Sequence, residues 1–239
     1  MNDQPKCCSC EPALKAETRA KYDTQWVLVD EQVSAERRKH LAAIADPLLR
    51  MILPFSGKTV VDLGVGTGSL AFRAAELSPP ELLIGIDFSS SGLRMSRRIS
   101  GGDRFSSTRF EAVMGDLERL PLSDTCADVI LSQASFNLLP DKAAGMNEMA
   151  RIAKRGARIL LSDAFRARRK TEDEPWEACV GGAITVAEFS TLALSSKLFI
   201  SQQLDLTQQV KALVKSGKWD WPEFVEHGLH YRGFVMFRS

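Results

Sequence analysis

The sequence lacks the features that mark membrane-spanning, secreted and nucleic-acid-binding proteins. No apolar run approaches the roughly 18 residues that a membrane-spanning helix needs. Lys and Arg total 31 against 30 for Asp and Glu, and a net charge of +1 gives no basic surface for nucleic acid or anionic lipid. The first residues, MNDQPKCCSC, contain no basic segment followed by an apolar one, which a secretory signal would show. We therefore expect a cytoplasmic protein that binds neither membranes nor nucleic acid.

Cysteine is scarce and unevenly placed. Of the five cysteines, Cys7, Cys8 and Cys10 lie among the first ten residues, whereas Cys126 and Cys179 stand alone. An odd number of cysteines in a reducing compartment argues against a disulfide framework. The remaining interpretations are ligation of a metal or metalloid, chemical reactivity, or no chemical role. Cys126 directly precedes an apolar segment, so we expect it to be a small buried residue.

What is present indicates one α/β domain. The 239 residues are 44% hydrophobic, enough for one large core and few for two. Helical spacing of apolar residues runs through 17–53, where Pro47 is expected to interrupt or restart a helix. Strands and helices then alternate, which predicts a Rossmann-like, doubly wound, mostly parallel sheet with helices on both faces. The seven predicted strands are 59–63, 82–86, 110–114, 127–133, 157–162, one near 203–207, and 231–237.

The first strand leads into a turn with glycine at every second position. Gly64, Gly66 and Gly68 let the backbone turn tightly and approach a ligand that a Cβ atom would block. Amides at the start of the following helix would face that ligand, so the strand–turn–helix context favours a nucleotide-like molecule. A dinucleotide fingerprint would place its third glycine where Ser69 stands, which disfavours NAD and FAD. The Gly-Lys-Ser/Thr of a phosphate-binding loop is absent.

Acidic residues stand at the ends of the next two strands. Asp87 is placed to accept hydrogen bonds from ribose hydroxyls. Asp116 can accept from the exocyclic amine of adenine, with Leu117 packed on the ring. Taken singly, an aspartate at such a place is more often a helix cap or a solvated loop residue than a ligand-binding residue. Because the carboxyl ends of parallel strands share one edge of the sheet, their combination predicts an adenosine site there.

Asp62-x-Gly64-x-Gly66-x-Gly68, Asp87 and Gly115-Asp116 resemble the successive motifs of class I S-adenosylmethionine-dependent methyltransferases, over about residues 40–165. The resemblance implies S-adenosylmethionine as cofactor and methyl transfer as activity. It places the methionine part of the cofactor along the glycine turn, with Asp62 near its amino group. The cofactor-binding residues that it implies are Asp62, Gly64, Gly66, Gly68, Asp87, Phe88, Asp116, Leu117 and Ser132.

A narrower resemblance concerns the methyl acceptor. Residues 132–142 (SQASFNLLPDK) and 176–185 (WEACVGGAIT) are similar to stretches of arsenite methyltransferases. In that family the cysteine of the second stretch is an arsenic ligand, so the resemblance implies Cys179 as the catalytic, acceptor-binding residue. Asn137 and Trp176 join it as expected substrate contacts. Trivalent arsenic is soft and binds thiolates, and its lone pair can attack a methyl group without a general base.

The chain departs from that family in its cysteines. Residues 69–115 and 180–239 contain none, although the family usually presents one beyond the glycine turn and more near the C-terminus. Cys7, Cys8 and Cys10 would then have to complete a thiolate site; alternatively they are idle or bind metal adventitiously. A buried structural residue is an equally open interpretation of Cys179. Trp176, together with Trp219, Trp221 and Phe224, forms either an acceptor pocket or ordinary core.

Three interpretations of the function therefore stay open: methylation of trivalent arsenic, methylation of an O, N or C atom of a small organic metabolite, and an inert S-adenosylmethionine-binding or thiol-metal-sensing protein. No resident metal is expected. We predict a flexible cysteine-containing tail at 1–15 and a single domain at 16–239. The domain divides into a helical lead-in (16–55), a cofactor-binding core (56–165) and an acceptor-side region (166–239).

Overall fold

The computed structural model describes residues 10–102, 105, 107–170 and 178–239, with the backbone alone at 10–12 and 178–179. Its helices are α1 (Cys10–Val27), α2 (Glu31–Arg50), α3 (Ser69–Leu77), α4 (Ser90–Ser100), α5 (Lys142–Ile152), α6 (Ala178–Gly181), α7 (Val186–Ser195), α8 (Thr207–Lys215) and α9 (Pro222–Glu226). A short 3₁₀ turn covers Phe136–Leu138. Among the residues described, no helix combines the length and apolarity that crossing a bilayer requires.

One sheet contains the strands β1 (Thr59–Leu63), β2 (Leu82–Asp87), β3 (Arg109–Met114), β4 (Ala127–Gln133), β5 (Ala153–Phe165), β6 (Leu198–Asp205) and β7 (His230–Arg238). Their order is β3-β2-β1-β4-β5-β7-β6. The first five strands pair in parallel, and β7 is antiparallel to both neighbours. The predicted α/β fold with a mostly parallel seven-stranded sheet is confirmed. The strand order reverses on either side of β1, which is where such sheets bind ligands.

Apolar residues cover both faces of the sheet because successive strand residues point to opposite sides. Val60 belongs to a core that contains Leu48 of α2 and Phe72 of α3. Its neighbour Val61 belongs to the other core, with Met146 of α5 and Phe189 of α7. The strands are therefore buried on both sides, and the polar strand ends are left to form a site.

The described part of the chain begins within the predicted tail at 1–15. Helix α1 begins at Cys10, so residues 10–15 are helical; residues 1–9 lie outside the described part of the chain. Polar contacts hold the start of this helix: Lys15 pairs with Asp116 and Glu118, which follow β3. The division of the chain into domains stays a prediction.

Pro47 neither interrupts nor restarts a helix, contrary to expectation. Helix α2 runs continuously from Glu31 to Arg50 with Pro47 inside it. A proline removes one backbone hydrogen bond and strains the preceding turn. Ile44, Leu48 and Leu49 are completely buried on either side of Pro47, and we attribute the continuity of the helix to that packing.

Candidate active site

The carboxyl ends of β1, β2, β3 and β4 open into a cavity of about 1370 Å³. Its walls are the glycine turn, the strand ends, α1, α2, and residues 217–223. Single small-ligand pockets usually measure roughly 300–1,000 Å³. The cavity therefore has room for a nucleoside-sized molecule and a second small reactant.

The glycine turn is anchored to the neighbouring strand. The amides of Gly64 and Val65 donate to the carbonyl of Ile86 at 2.8 and 3.0 Å. Gly64 has a φ of +78°, and a Cβ atom there would lie 2.4 Å from Cβ of Ser135. Gly68 has a φ of +86°, and its Cβ would overlap the Phe72 ring. Packing within the protein, as well as ligand access, therefore requires glycine at these positions.

Asp62 places a buried carboxyl group beside the cavity. It lies in β1, lines the cavity, and accepts a hydrogen bond from the backbone amide of Ala71 in α3. Burial, with a smaller contribution from nearby Asp87, raises the pKa of Asp62 to about 7. No ion pair to Asp62 is found among the described residues. A cationic group entering the cavity would therefore stabilise its ionised form.

Asp87 is held rigidly at the end of β2. One carboxylate oxygen accepts from the Gly66 amide at 2.7 Å, and the other accepts from the Ser89 amide at 2.8 Å. Burial raises the pKa of this carboxyl group. Each oxygen retains acceptor capacity, and both Asp87 and its neighbour Phe88 line the cavity. The geometry suits an acceptor of hydroxyl hydrogen bonds.

Asp116 and Leu117 follow β3 as predicted and line the cavity. One oxygen of Asp116 accepts from the Glu118 amide at 2.9 Å, and the other accepts from Nζ of Lys15 at 2.7 Å. Leu117 is buried. Asp116, the residue expected to contact adenine, therefore also binds Lys15 near the start of α1.

Helix α1 covers the edge of the sheet, a role that the sequence analysis did not assign. Asp23 accepts from the Ser89 hydroxyl at 2.8 Å and from the Ser91 amide at 3.1 Å, at the start of α4. The indole of Trp26 comes within 3.2 Å of the position a Cβ atom would occupy on Gly66. The signal in the sequence was the pair Tyr22 and Trp26, which are one turn apart and stack with ring centroids 6.1 Å apart.

The end of β4 supports the glycine turn from the other side. Ser132 and Ser135 share a hydrogen bond of 2.9 Å, and the Ser135 hydroxyl donates to the carbonyl of Leu63 at 2.8 Å. Ser135 lines the cavity, whereas Ser132 is buried behind it. Ser132, predicted as a cofactor-binding residue, therefore reaches the site through Ser135.

Two further residues at the end of β4, Gln133 and Ala134, have features that the sequence does not indicate. Nε2 of Gln133 is a buried donor with no hydrogen-bond acceptor among the described atoms, and Gln133 lines the cavity. Ala134 adopts a φ of +53°, an unusual conformation for a residue with a side chain. Strained backbone and an unused donor at a strand end are both typical of functional sites.

The side chain of Asn137 is turned towards the protein interior. Its Nδ2 donates to Asp163 at 2.9 Å and to the carbonyl of Ala164 at 2.8 Å, and its amide donates to the second oxygen of Asp163 at 3.0 Å. Burial raises the pKa of Asp163 to about 6. Asn137 is absent from the cavity wall, so these bonds position the turn after β4; contact with a substrate stays a prediction.

The structure brings the Cys179 segment to the cavity but does not test the thiolate cluster. Cys179 lies in α6, whose next residue, Val180, lines the cavity. Cys10 begins α1, whereas Cys7, Cys8 and Trp176 lie outside the described residues. Cys126 is half-buried at the start of β4, roughly 20 Å of strand from the cavity. In the described ranges, no group of three or more His, Cys, Asp or Glu residues is spaced to hold a metal ion.

Aromatic residues form the wall opposite the strand ends. Trp219 and Trp221 line the cavity, with ring centroids 5.1 Å apart. Trp221 packs on Phe224, and Trp219 meets Tyr231 edge to face at 5.8 Å. The sequence is compatible with either a pocket or ordinary core at these tryptophans and Phe224. The structure shows both: the two tryptophans face the cavity, and Phe224 and Tyr231 are fully buried.

Residues 54–218 match the family model of a methyltransferase domain. The chain belongs to this methyltransferase family. It is 27% identical to an arsenite methyltransferase of Halobacterium salinarum over 197 residues, which cover 78% of this chain and 47% of that protein. It is 31% identical to a fatty-acid O-methyltransferase of Mycolicibacterium smegmatis over 127 residues, 53% of this chain and 43% of that protein. The methyltransferase thus spans about half the length of the curated relatives it matches.

The fold also matches solved structures of methyltransferases. The geranyl diphosphate C-methyltransferase of Streptomyces coelicolor A3(2) aligns with a TM-score of 0.69 at 15% identity, over 83% of this chain and 76% of that one. At this identity the likeness concerns the fold. Together with the family match, it confirms the resemblance to class I S-adenosylmethionine-dependent methyltransferases. The relatives act on different acceptors by their names, arsenite and fatty acids among them.

Proposed function

We propose that this methyltransferase binds S-adenosylmethionine at the carboxyl edge of β1, β2 and β3. The methyl group of the cofactor passes to a small acceptor. This acceptor lies on the side of the cavity formed by β4, α6 and residues 217–223. The observation that supports this most is the pair of buried carboxyl groups, Asp62 and Asp87, beside one large cavity. The cofactor carries positive charge on its sulfonium and its ammonium group, which two desolvated carboxylates would attract.

The residues present fit this cofactor. Asp87 has acceptor capacity for the ribose hydroxyls, Leu117 offers an apolar surface to adenine, and Asp62 is placed to meet the ammonium group. The bound cofactor supplies an electrophilic methyl group. The residues around the cavity would position the acceptor beside that methyl group, and α1, which forms part of the wall, would limit the access of water.

The acceptor we favour is trivalent arsenic held partly by Cys179. Two arsenite methyltransferases are among the relatives, including one of Aquipseudomonas alcaligenes that is 30% identical over 148 residues. The segment that resembles their arsenic-binding stretch reaches the cavity through Val180. An arsenic lone pair would attack the methyl group directly, so the site needs alignment rather than a base.

A second candidate is O-, N- or C-methylation of a small organic metabolite. The paired indoles of Trp219 and Trp221 give the cavity a wall suited to an apolar molecule. His40 also lines the cavity, and histidine is the side chain that most often serves as a general base towards a hydroxyl group.

The test is methyl transfer from labelled S-adenosylmethionine to arsenite, followed by separation of methylated arsenic. We expect product from wild type and from Cys126→Ser, the matched thiol at the far end of β4, and at least a tenfold loss in Cys179→Ser. Equal activity of the two variants, or no product from arsenite, would contradict the arsenic assignment.

A metabolite extract supplied with the labelled cofactor addresses the second candidate. Label on an organic product in the absence of arsenic methylation would favour that candidate. Cofactor binding without transfer to any acceptor would instead favour the inert binding protein.

A further inference from the structure

Arg37 of α2 presents a guanidinium group to the cavity, and no carboxylate among the described residues pairs with it. The side chain is half-buried and lines the cavity. Its Cζ atom lies 4.9 Å from the centroid of the Trp26 ring, and Trp26 in turn lies against Gly66. The guanidinium group is therefore close to the glycine turn, where the reactants are expected.

The neighbouring arginines of this region behave differently. Arg38 forms an ion pair with Glu76 at 3.0 Å, and Arg73 bonds to Asp46 and to Glu76. Ion pairs of Arg37 are absent from the part of the chain that the structure describes, although Glu36 lies next to it. Asp46 and Glu76 are thus engaged by Arg38 and Arg73.

Loss of hydration makes this position costly for a cation. Burial lowers the pKa of Arg37, but guanidinium groups stay protonated in proteins. Stacking on Trp26 offsets only part of the desolvation. The five fixed N–H donors of a guanidinium group match a carboxylate in two parallel hydrogen bonds. A carboxylate that enters with a ligand would supply the missing partner.

We propose that Arg37 binds the carboxylate of a reactant in the cavity. Two reactants can carry it: the methionine part of the cofactor, or a carboxylic acid acceptor. Because the cavity is the proposed methyltransfer site, this inference rests on the proposed function. Either source makes Arg37 a specificity-determining residue of the site.

The experiment compares ligand pairs that differ in the carboxylate. S-adenosylhomocysteine and its decarboxylated amine, which keeps the ammonium group, report on the cofactor; dodecanoate and dodecanol, added in the presence of 5′-methylthioadenosine, report on the acceptor. Calorimetry gives the affinity of each ligand for wild type, Arg37→Met, Arg37→Lys and Lys39→Met. Met retains an apolar stem against Trp26, and Lys39→Met removes an exposed charge from the same helix outside the cavity.

We expect wild type and Lys39→Met to prefer the carboxylate member of one pair by about 10- to 100-fold, the range of a charge-assisted hydrogen bond. Arg37→Met should lose that preference, and Arg37→Lys should retain part of it. If Arg37→Met loses the preference within the first pair, the carboxylate belongs to the cofactor. If it loses the preference within the second pair, the carboxylate belongs to an acceptor.

The inference is overturned if wild type prefers neither carboxylate, or if both arginine variants keep the wild-type preference. Should Arg37→Met fail to fold, Arg37→Lys decides by the same comparison. Failure of wild type to bind either adenosyl compound would instead count against the proposed function. In that case the affinities of wild type and the variants for dodecanoate and dodecanol would decide the inference alone.

Discussion

At the scale of single residues, buried carboxyl groups dominate the electrostatics of the cavity. Asp62 has a pKa of about 7 because burial disfavours its charged form. Its pKa in the unfolded chain is near 3.9. Folding therefore favours the protonated form, and the stability that protonated Asp62 contributes at low pH is lost as the pH rises from about 4 to 7.

Asp62→Asn should therefore stabilise the ligand-free protein at pH 8, by up to about 4 kcal/mol, because it removes the buried charge. The gain should shrink as the pH falls towards 4. Urea unfolding between pH 5 and 8 measures it. Asp128→Asn is the control, for which we expect the opposite sign. Lys154 donates to the Asp128 carboxylate at 2.8 Å, and the pKa of Asp128 is lowered. Loss of this carboxylate should therefore destabilise the protein at pH 8. A pH-independent gain from Asp62→Asn would refute this account.

The same substitution should weaken binding of S-adenosylmethionine. Ionised Asp62 attracts the cation, so wild-type affinity should fall as the pH drops below about 7. Asp62→Asn should bind at least tenfold more weakly at pH 8 and lose most of this pH dependence. Calorimetry at pH 6, 7 and 8 tests it, and an unchanged pH profile in the variant would remove Asp62 from the site.

Two glycines with left-handed backbone form a matched pair. Gly57 has a φ of +70° with open space around it, whereas Gly64 has a φ of +78° and faces Ser135. Gly57→Ala should cost about 1 kcal/mol of backbone strain. Gly64→Ala should cost about 2–4 kcal/mol, because overpacking adds to the strain. Thermal unfolding of both variants measures the difference in stability. Equal losses of stability would show that Ser135 can move aside without an energetic cost.

At the scale of elements, helix α1 is attached to the rest of the protein mainly through polar contacts. Asp23 bonds to the first turn of α4, and Lys15 pairs with Asp116. Lys15 and Asp116 line the cavity, and Asp23 follows Tyr22, which lines it too. Because α1 forms part of the cavity wall, we expect its attachment to govern access.

Asp23→Ala should loosen α1 by about 1 kcal/mol, because the first turn of α4 loses an acceptor. We expect faster amide hydrogen exchange in α1 and several-fold faster release of S-adenosylhomocysteine. Thr24→Ala is the control, since the exposed Thr24 hydroxyl donates within the helix to the carbonyl of Ala20. Identical release rates in the two variants would show that α1 does not control access.

At the scale of the whole molecule, α2 joins the lead-in helices to the sheet. Its Leu48 packs against Gly233 in β7, where a Cβ atom would lie 2.1 Å from Leu48 Cδ2. The closeness of helix and sheet depends on the absence of a side chain at this position.

Gly233→Ala should destabilise the protein by about 1–3 kcal/mol through overpacking. Leu48→Ala alone should cost about 2–5 kcal/mol through a cavity. In the double variant the new methyl group occupies vacated space, so its loss should be smaller than the sum. Urea unfolding of the four proteins tests this, and additive losses would show that the two positions do not interact.

Much of the molecule could be predicted from local patterns. The strands β1, β2 and β4 were predicted within one residue, since short apolar runs between turn residues are a strong signal. Positions of Asp87 and Asp116 at strand ends followed from the same reasoning. Pro47 was misjudged because its local penalty is offset by core packing that a sequence window does not show.

The sequence by itself determined the order of strands and helices along the chain, the glycine turn and the acidic residues beside it. Each of these depends on residues that are close together in the chain. Only the tertiary structure decided that α1 lies over the strand ends and that β7 runs antiparallel between β5 and β6. It alone showed Arg37 stacked on Trp26. Such contacts join distant segments, as Trp26 meets Gly66 and Lys15 meets Asp116, and no local periodicity encodes them.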